Sequence, residues 1–276
     1  MLFSRMLGGL GNQLFQTAAL LKYRRHKEKV IISFLGDIHI PKRVNCLRSI
    51  FEIPDWIYFD NSRKLNLLAR LFARSSAGLR FGSYLPLVGI NDRNFNRKES
   101  YFANQKLLFL DGYFNKNWDY KKLHSLFSIL KLKKIKLNKE RQKICNQNVV
   151  IHIRGGDFLS INNLNICKLA YYKNSIKYFL SKGSKTFMVI CEDQSYGREL
   201  IKELKNYFTD LQISIVKSDS IKNDFNLIRS SKLAILSNST FSWWASFLSN
   251  SKKEFLVPSN FSIKEKRIIL PNETII

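Results

Sequence analysis

The sequence lacks the features that would place it at once in several large classes of protein. No apolar run approaches the roughly 20 residues of a membrane-spanning helix. The four cysteines are scattered without paired or metal-ligand spacing, which is typical of a reducing compartment. Asp-x-Asp, His-Glu-x-x-His and clustered-cysteine motifs are absent, so no metal site is predicted. Glycines and amides at 8–16 interrupt any signal-peptide core, so we expect a mature N-terminus and a cytoplasmic protein.

Acidic residues are also scarce, and the resulting positive charge restricts the partners. The 21 Asp and Glu residues stand against 46 Lys and Arg residues, which leaves a net charge of +25. Such a surplus favours nucleic acid, an anionic membrane surface or a phosphorylated small molecule, unless it is only a solvated lysine-rich surface. No helix-turn-helix, zinc spacing or aromatic RNA-binding motif supports the nucleic-acid alternative.

The second half of the chain alternates short apolar runs with segments of helical spacing. This alternation predicts a parallel sheet covered by helices, which is a doubly wound α/β domain. The apolar runs are VVIHI (149–153), TFMVIC (186–191), QISIV (212–216), LAIL (233–236) and EFLVP (254–258).

The first half is less regular but begins in the same style. MLFSRML is a candidate strand, a helix is expected from about Gln13 to His26, and VIISFL (30–35) is a second strand. We place the domain boundary near residue 145, which gives domains 1–145 and 146–276. Doubly wound sheets bind ligands beyond the carboxyl ends of their strands, so the residues that follow the apolar runs are the candidates for chemistry.

Three motifs stand at such positions. GGLGNQLFQ (8–16) combines flexible glycines with a helix start, where backbone N–H groups can meet an anion. HIRGGD (152–157) places an arginine suited to phosphate between a histidine and an aspartate. SNSTFSWWASFL (237–248) offers a hydroxyl-rich helix cap ahead of two tryptophans, which we expect in the core.

Together these segments indicate a nucleoside diphosphate held in a cleft between the two domains. Its charge would be met by Arg154 and by helix N-termini rather than by a divalent cation. The structural alternatives are a purely steric role for the glycines and a surface ion pair between Arg154 and Asp157.

The three segments, in this order, resemble the signature blocks of the bacterial α-1,2-fucosyltransferases of glycosyltransferase family 11. LDGYF (110–114) and NDFNLI (223–228) resemble weaker blocks, so the resemblance spans nearly the whole chain. It implies a GT-B-like α/β architecture of two Rossmann-type domains facing a cleft, with the acceptor-side domain first. It also implies metal-independent, inverting transfer of L-fucose from GDP-β-L-fucose to the 2-hydroxyl of a galactose-terminated glycan. O-antigen biosynthesis is one setting for such a reaction.

The resemblance also assigns roles to individual residues. Arg154 would meet the β-phosphate, and the candidate general base is Asp157, the nearest carboxylate, with Glu192 and Asp193 as alternatives. Tyr113 and Phe114 are candidates to stack on the acceptor sugar, with core packing as the alternative. The implied donor-binding residues are Gly11, Asn12, Gln13, His152, Asp224, Ser239, Thr240, Phe241 and Ser242.

One position departs from the family pattern. Gly155 stands where the family usually carries a second arginine, and a guanidinium lost from the leaving group would weaken transition-state stabilisation. A catalytically weakened GDP-sugar-binding homologue is therefore the chief alternative to an active enzyme, and a basic nucleic-acid-binding protein is the other. The positive charge suits a peripheral enzyme on the inner face of the cytoplasmic membrane that acts on a lipid-linked acceptor.

Overall fold

The computed structural model describes residues 1–25, 27–35, 46–74, 87–93, 95, 105–134, 136–155, 167–249, 253–262, 265–266 and 268–276. They form two compact units, Met1–Lys133 and Lys134–Ile276. Each unit contains its own parallel sheet, as the sequence predicted for an α/β chain. Within the described residues, no helix combines the length and the apolar character needed to cross a bilayer.

The first unit is organised around one parallel sheet. Its described strands are β1 (Leu2–Arg5), β2 (Val30–Ser33), β3 (Phe51–Glu52), β4 (Ile57–Phe59), β5 (Leu87–Ile90), β6 (Leu107–Leu110) and β7 (Lys131–Leu132). Its described helices are α1 (Leu10–Tyr23), α2 (Cys46–Ile50), α3 (Arg63–Arg74) and α4 (Tyr120–Phe127). The parallel sheet has the order β4-β2-β1-β6-β5, and β3 pairs with β7 in antiparallel fashion.

The turn between β1 and α1 shows how the glycine-rich motif folds. Gly8 has a φ of 77°, a conformation that glycine adopts without steric cost. The side-chain amide of Gln16 closes the turn. Its oxygen accepts a hydrogen bond from the Leu7 N–H at 2.9 Å, and its nitrogen donates to the Leu7 carbonyl at 2.8 Å. The helix then begins at Leu10 and not near Gln13, the start that the sequence predicted. The prediction was wrong because the buried side chain of Leu10 extends the apolar face toward the turn.

The second unit contains the sheet that the apolar runs predicted. Its described strands are β8 (Val149–Ile153), β9 (Thr186–Cys191), β10 (Gln212–Ile215), β11 (Leu233–Ile235), β12 (Glu254–Val257), β13 (Asn260–Ser262), β14 (Glu265–Lys266) and β15 (Glu273–Ile275). Its described helices are α5 (Lys139–Gln147), α6 (Leu169–Ser181), α7 (Gln194–Tyr207), α8 (Ile221–Ser230) and α9 (Thr240–Phe247). The parallel sheet has the order β10-β9-β8-β11-β12-β15, so all five predicted strands are confirmed.

The central strand β8 is buried along its whole length. Val149, Ile151 and Ile153 belong to a core cluster that also takes in apolar side chains of α6 and α7. Because side chains alternate across a strand, His152 lies on the opposite face, where its ring centroid is 5.6 Å from that of Phe241 in α9. The two tryptophans of the third motif are fully buried, which confirms their predicted place in the core.

The two units divide between Lys133 and Lys134 and not near residue 145. The helix α5 accounts for the difference, because its contacts are with the second unit. The Cys145 thiol lies 3.5 Å from the carbonyl of Leu227 in α8, and Arg141 forms an ion pair with Asp219.

Candidate functional site

The residues of the HIRGGD motif that the structure describes lie at the carboxyl ends of the strands in the second sheet. His152 is in β8 and Arg154 follows it. Glu192 follows β9, and Ser237 comes shortly after β11; these two strands flank β8. Because parallel strands end at the same side of a sheet, these residues share one edge, which we name the carboxyl edge. Doubly wound sheets bind their ligands at this edge.

His152 is a buried and neutral side chain. Its Nδ1 lies 2.8 Å from the Ser237 hydroxyl, which joins the ends of β8 and β11. Burial, and to a smaller extent the positive charge of Arg154, lower its pKa from 6.5 to about 3. At neutral pH the imidazole therefore acts as a hydrogen-bonding group and carries no charge.

Arg154 is held by an ion pair at the carboxyl edge. Its Nη1 donates to Oε2 of Glu192 at 3.1 Å. The arginine side chain is 23% exposed and the glutamate side chain 67%. Because the pair is largely open to solvent, it contributes little to stability. Its main effect is to orient the guanidinium of Arg154. The sequence predicted Arg154 but could not predict this pairing, because the partner is 38 residues away and on another strand.

Gly155 lies against an aromatic ring. A Cβ added at Gly155 would stand 2.6 Å from Cδ1 of Tyr196 and 3.3 Å from Cβ of Asp193. Tyr196 is fixed there because it lies in the first turn of α7, and its backbone N–H donates to the capping carboxylate of Asp193 at 3.1 Å. The volume that a side chain at position 155 would enter is thus partly filled by Tyr196. No sequence motif predicted this residue.

Asp224 belongs to a buried polar network at the start of α8. One carboxylate oxygen accepts a hydrogen bond from the Ser218 hydroxyl, and the other lies 3.9 Å from Nη1 of Arg141. The Nη2 atom of Arg141 also lies 3.1 Å from Asp219. Burial raises the pKa of the Asp224 carboxyl, while the Ser218 hydrogen bond and the Arg141 charge oppose that shift. The sequence predicted Asp224 but missed Arg141, which is hidden in a lysine-rich segment.

The start of α9 is capped as the third motif predicted. The Ser239 hydroxyl accepts from the Phe241 N–H at 3.2 Å. The Ser242 hydroxyl donates to the carbonyls of Ser237 and Ser239, each at 3.1 Å. Thr240 and Phe241 are half-buried. The Phe241 ring lies between those of His152 and Phe225, with centroid distances of 5.6 and 5.3 Å.

Asp157, the predicted general base, lies outside the described residues. Of its two alternatives, Asp193 is engaged as the cap of α7, where its carboxylate also accepts from the Ser195 hydroxyl at 2.6 Å. Glu192 is the exposed partner of Arg154. The part of the chain that the structure describes contains no group of three His, Cys, Asp or Glu side chains that could hold a metal ion.

The predicted donor-binding residues of the first unit lie in and beside the glycine turn. Gly11 is buried in the first turn of α1, and Asn12 packs over Gly8, where an added Cβ would stand 2.5 Å from the Asn12 Nδ2. The buried Gln13 donates from Nε2 to the Gly8 carbonyl at 3.0 Å. Of Gly11, Asn12 and Gln13, only Asn12 is half-buried, and the buried Gln13 supports the turn.

A buried ion pair lies at the carboxyl ends of β1 and β6. Nη1 of Arg5 is 3.1 Å from Oδ2 of Asp111, and both side chains are almost fully buried. The sequence did not predict this pair, which links two neighbouring strands of the first sheet. Charges buried in this way are tolerated when each has a close partner.

The two predicted acceptor residues have different environments. Phe114 is buried and packs on Phe95, with a centroid distance of 5.1 Å, so its ring is part of the core. The Trp118 indole is buried as well and donates to the Phe114 carbonyl at 2.6 Å. Tyr113 is exposed, and its N–H donates to the Asp92 carboxylate at 3.1 Å. Only Tyr113 of these three aromatic residues presents its ring to solvent.

Comparison with known proteins places the second and third motifs within a known family. The model of glycosyl transferase family 11 matches residues 91–272. An Escherichia coli α-1,2-colitosyltransferase is 23% identical over 90% of this chain and 87% of its own length. The Escherichia coli O-antigen biosynthesis glycosyltransferase WbnK is also 23% identical, over 93% of both chains.

Solved structures share the fold at lower identity. POFUT1 in complex with GDP-fucose matches 93% of this chain and 96% of its own, with a TM-score of 0.53 and 12% identity. An Arabidopsis thaliana FUT1 variant in complex with GDP matches 93% of this chain and 69% of its own, with a TM-score of 0.52 and 12% identity. These likenesses show the α/β fold of GT-B glycosyltransferases, as predicted. Because the family model matches most of this chain, the chain belongs to glycosyl transferase family 11.

Proposed function

We propose that the chain is an inverting glycosyltransferase that moves L-fucose from GDP-β-L-fucose to the 2-hydroxyl of a galactose-terminated glycan. Family membership supports sugar transfer, and the O-antigen role named for WbnK supports a bacterial polysaccharide as the acceptor. The named ligands of POFUT1 and FUT1, GDP-fucose and GDP, support a guanosine diphosphate donor.

The single observation that carries the proposal is the orientation of Arg154 at the carboxyl edge. In an inverting transfer, the acceptor hydroxyl attacks the anomeric carbon while the bond to the diphosphate breaks, so negative charge grows on the leaving phosphate. A guanidinium held in place by Glu192 can meet that charge without reorganising. The N–H groups at the start of α9 add to this stabilisation.

The remaining roles follow from the surroundings of each residue. Neutral His152 and the Ser237 hydroxyl position the end of β8, and Asp224 at the start of α8 is assigned to the nucleoside. Asp157 is assigned as the general base that takes the acceptor proton, because Asp193 is engaged as a helix cap. Asn12 of the first unit is assigned to the donor, and Tyr113 to the acceptor sugar. No divalent metal is assigned to the reaction.

A second donor is favoured by one comparison. The relative named α-1,2-colitosyltransferase indicates that the family also uses colitose, which is L-fucose without its 3-hydroxyl group. An enzyme specific for fucose needs a hydrogen-bonding partner for that hydroxyl, and a donor lacking it would leave the partner unpaired. Comparing the two donors therefore decides between these sugars.

The test is a transfer assay with the purified full chain. We expect transfer from GDP-fucose to lactose or N-acetyllactosamine, with the same rate when EDTA is present. Arg154→Ala should lower kcat/KM by at least about 100-fold, whereas Arg198→Ala, at an exposed arginine of α7, should not. Isothermal titration should detect GDP binding by the wild type.

Three outcomes would contradict the proposal. No heat on titration with GDP, together with a salt-dependent shift of random DNA, would favour the nucleic-acid-binding alternative. GDP binding without turnover would favour the weakened homologue. Loss of activity with EDTA would contradict the metal-free reaction.

A further inference from the structure

The helix α3 places three of its leucines on the side opposite to the one expected of a surface helix. Ala69 and Asn66 face inward: Ala69 packs with Phe3 and Phe109 of the sheet, and the Asn66 amide donates to the Ser33 hydroxyl at 2.7 Å. Surface helices of globular proteins normally place their large apolar residues on this inward face. In α3 the small Ala69 and the polar Asn66 share this face with the partly buried Leu65, while three further leucines lie outside it.

Three leucines of α3 are exposed to solvent. Leu67 is 57% exposed and Leu71 is 55% exposed, and Leu68 is also exposed. Residues 67, 68 and 71 are spaced by one turn or less, so their side chains form one continuous patch. We name Leu67, Leu68 and Leu71 the leucine patch. Exposed leucines cost solvation free energy, and a contiguous group of them indicates a binding surface.

Positive charge surrounds the leucine patch. The helix sequence RKLNLLARLFAR contains four basic residues and no acidic residue. Arg63, Lys64 and Arg70 are exposed. An apolar patch beside basic side chains is complementary to one surface in particular, an anionic lipid bilayer, where leucines enter the acyl boundary and cations remain among the headgroups. A protein partner would have to be both apolar and strongly acidic.

We propose that α3 is an interfacial membrane-binding helix, which inserts the leucine patch between lipids while its basic residues bind anionic headgroups. The helix is about 18 Å long at 1.5 Å per residue, which suits a helix lying in the plane of the interface. The net charge of +25 adds a long-range attraction to the same surface. Membrane association of this kind would bring a sugar-transfer site to acceptors carried on lipid.

The experiment is vesicle co-sedimentation of the purified full chain, with vesicles of phosphatidylcholine alone or with about a third of phosphatidylglycerol. We expect binding to the anionic vesicles that weakens as salt rises, because screening shortens the range of the attraction. The variant Leu67→Asp/Leu71→Asp should bind at least about tenfold more weakly, because it removes two inserting side chains. Arg63→Gln/Arg70→Gln should lower binding and reduce its salt dependence.

The matched control is Ile129→Asp/Leu180→Asp, which makes the same change of charge at two exposed apolar residues outside α3. It should bind like the wild type, and thermal unfolding should show that all variants are folded. Equal binding by the leucine variant and the control would overturn the proposal, as would a failure of the wild type to bind anionic vesicles at low salt. A wild-type dimer that the leucine variant dissociates in lipid-free sedimentation would also overturn it and assign the patch to a second copy. The assay contains no sugar nucleotide, so its result is independent of the proposed transfer reaction.

Discussion

The ring of Tyr196 occupies the space beside Gly155 that a side chain at that position would need, with Cδ1 2.6 Å from an added Cβ. This relationship changes the meaning of the glycine. The family pattern predicts an arginine at position 155. From the sequence alone, the glycine there means only that one positive charge is missing. The structure shows instead that residues 155 and 196 are coupled, because the ring and a side chain at 155 cannot both keep their places.

Substitutions at these two residues should therefore be strongly non-additive. We expect Gly155→Ala and Gly155→Arg each to lower the free energy of unfolding by about 1–3 kcal/mol, because the ring must move. Combining Gly155→Arg with Tyr196→Ala should cost less than the sum of the single changes, by about 1–2 kcal/mol. Urea unfolding of the four variants measures this coupling.

The control for crowding at position 155 is Gly9→Ser. An added Cβ at Gly9 meets nothing within 4 Å, and serine is favoured at its helix-capping position. Its free energy of unfolding should stay within about 0.5 kcal/mol of the wild type. Strict additivity of the substitutions at 155 and 196 would show that the two positions are independent. Assaying Gly155→Arg/Tyr196→Ala for transfer also tests whether the missing guanidinium limits the rate.

Substitutions in the pair formed by Arg154 and Glu192 should separate positioning from proton transfer. Arg154→Lys keeps the charge but loses the planar fork, so we expect a fall in kcat of at least about 30-fold. Glu192→Gln keeps a hydrogen-bond acceptor, so we expect only a fall of about 3- to 10-fold. Stability should change by less than about 1 kcal/mol in the glutamine variant, because the glutamate is mostly exposed.

The pH profile provides the decisive readout for Glu192. If this glutamate only orients Arg154, the acidic limb of kcat against pH persists in Glu192→Gln. Disappearance of that limb, with nearly complete loss of activity, would make Glu192 the general base and remove Asp157 from that role.

His152 should make the protein sensitive to acid. The pKa of His152 is about 3 in the folded protein, whereas in the unfolded chain it has the ordinary value of 6.5. Between these two pH values the unfolded chain therefore binds a proton that the folded chain does not. Stability therefore falls as pH falls through this window, by up to about 1.4 kcal/mol per pH unit. Urea unfolding at pH 7.5, 6 and 5 measures the slope.

Two glutamine variants identify the histidine responsible. His152→Gln retains a hydrogen-bonding group for Ser237 but cannot titrate, so its stability should depend less on pH over the same range. His124→Gln, at an exposed histidine of α4, should keep the wild-type dependence. An unchanged slope in His152→Gln would show that the imidazole is not the acid-sensitive group.

The buried carboxylate of Asp224 should depend on Arg141. Arg141→Met leaves this carboxylate without its cation, so we expect a loss of about 3 kcal/mol at neutral pH. Removing the cation raises the pKa of Asp224 further, so the loss should grow as pH rises and the carboxyl ionises. Asp219→Asn is the control, because Asp219 is a mostly exposed partner of the same arginine and should cost under about 1 kcal/mol. Equal losses in the two variants would contradict a buried role for the first pair.

The sequence by itself determined the second sheet, the cap of α9 and the buried tryptophans. These features are local: an apolar run bounded by turns, or a serine before a helix, carries its own physical reason within a few residues. For the same reason the HIRGGD motif identified His152 and Arg154 at the carboxyl end of one strand, whereas Asp224 was implied only by the family resemblance. The start of α1 and the division between the units were misplaced, because packing of Leu10 and of α5 decided them.

Only the tertiary structure decided which side chains meet. Arg154 reaches Glu192, Gly155 faces Tyr196, and Arg141 joins Asp224, each across elements that are distant in the sequence. The order in which strands pair and the face on which each helix packs bring these partners together, and no local pattern encodes that order. The exposure of the leucines of α3 was likewise decided by the tertiary structure. Their composition is visible in the sequence, but whether they face the core or the solvent depends on which side of the helix packs against its sheet.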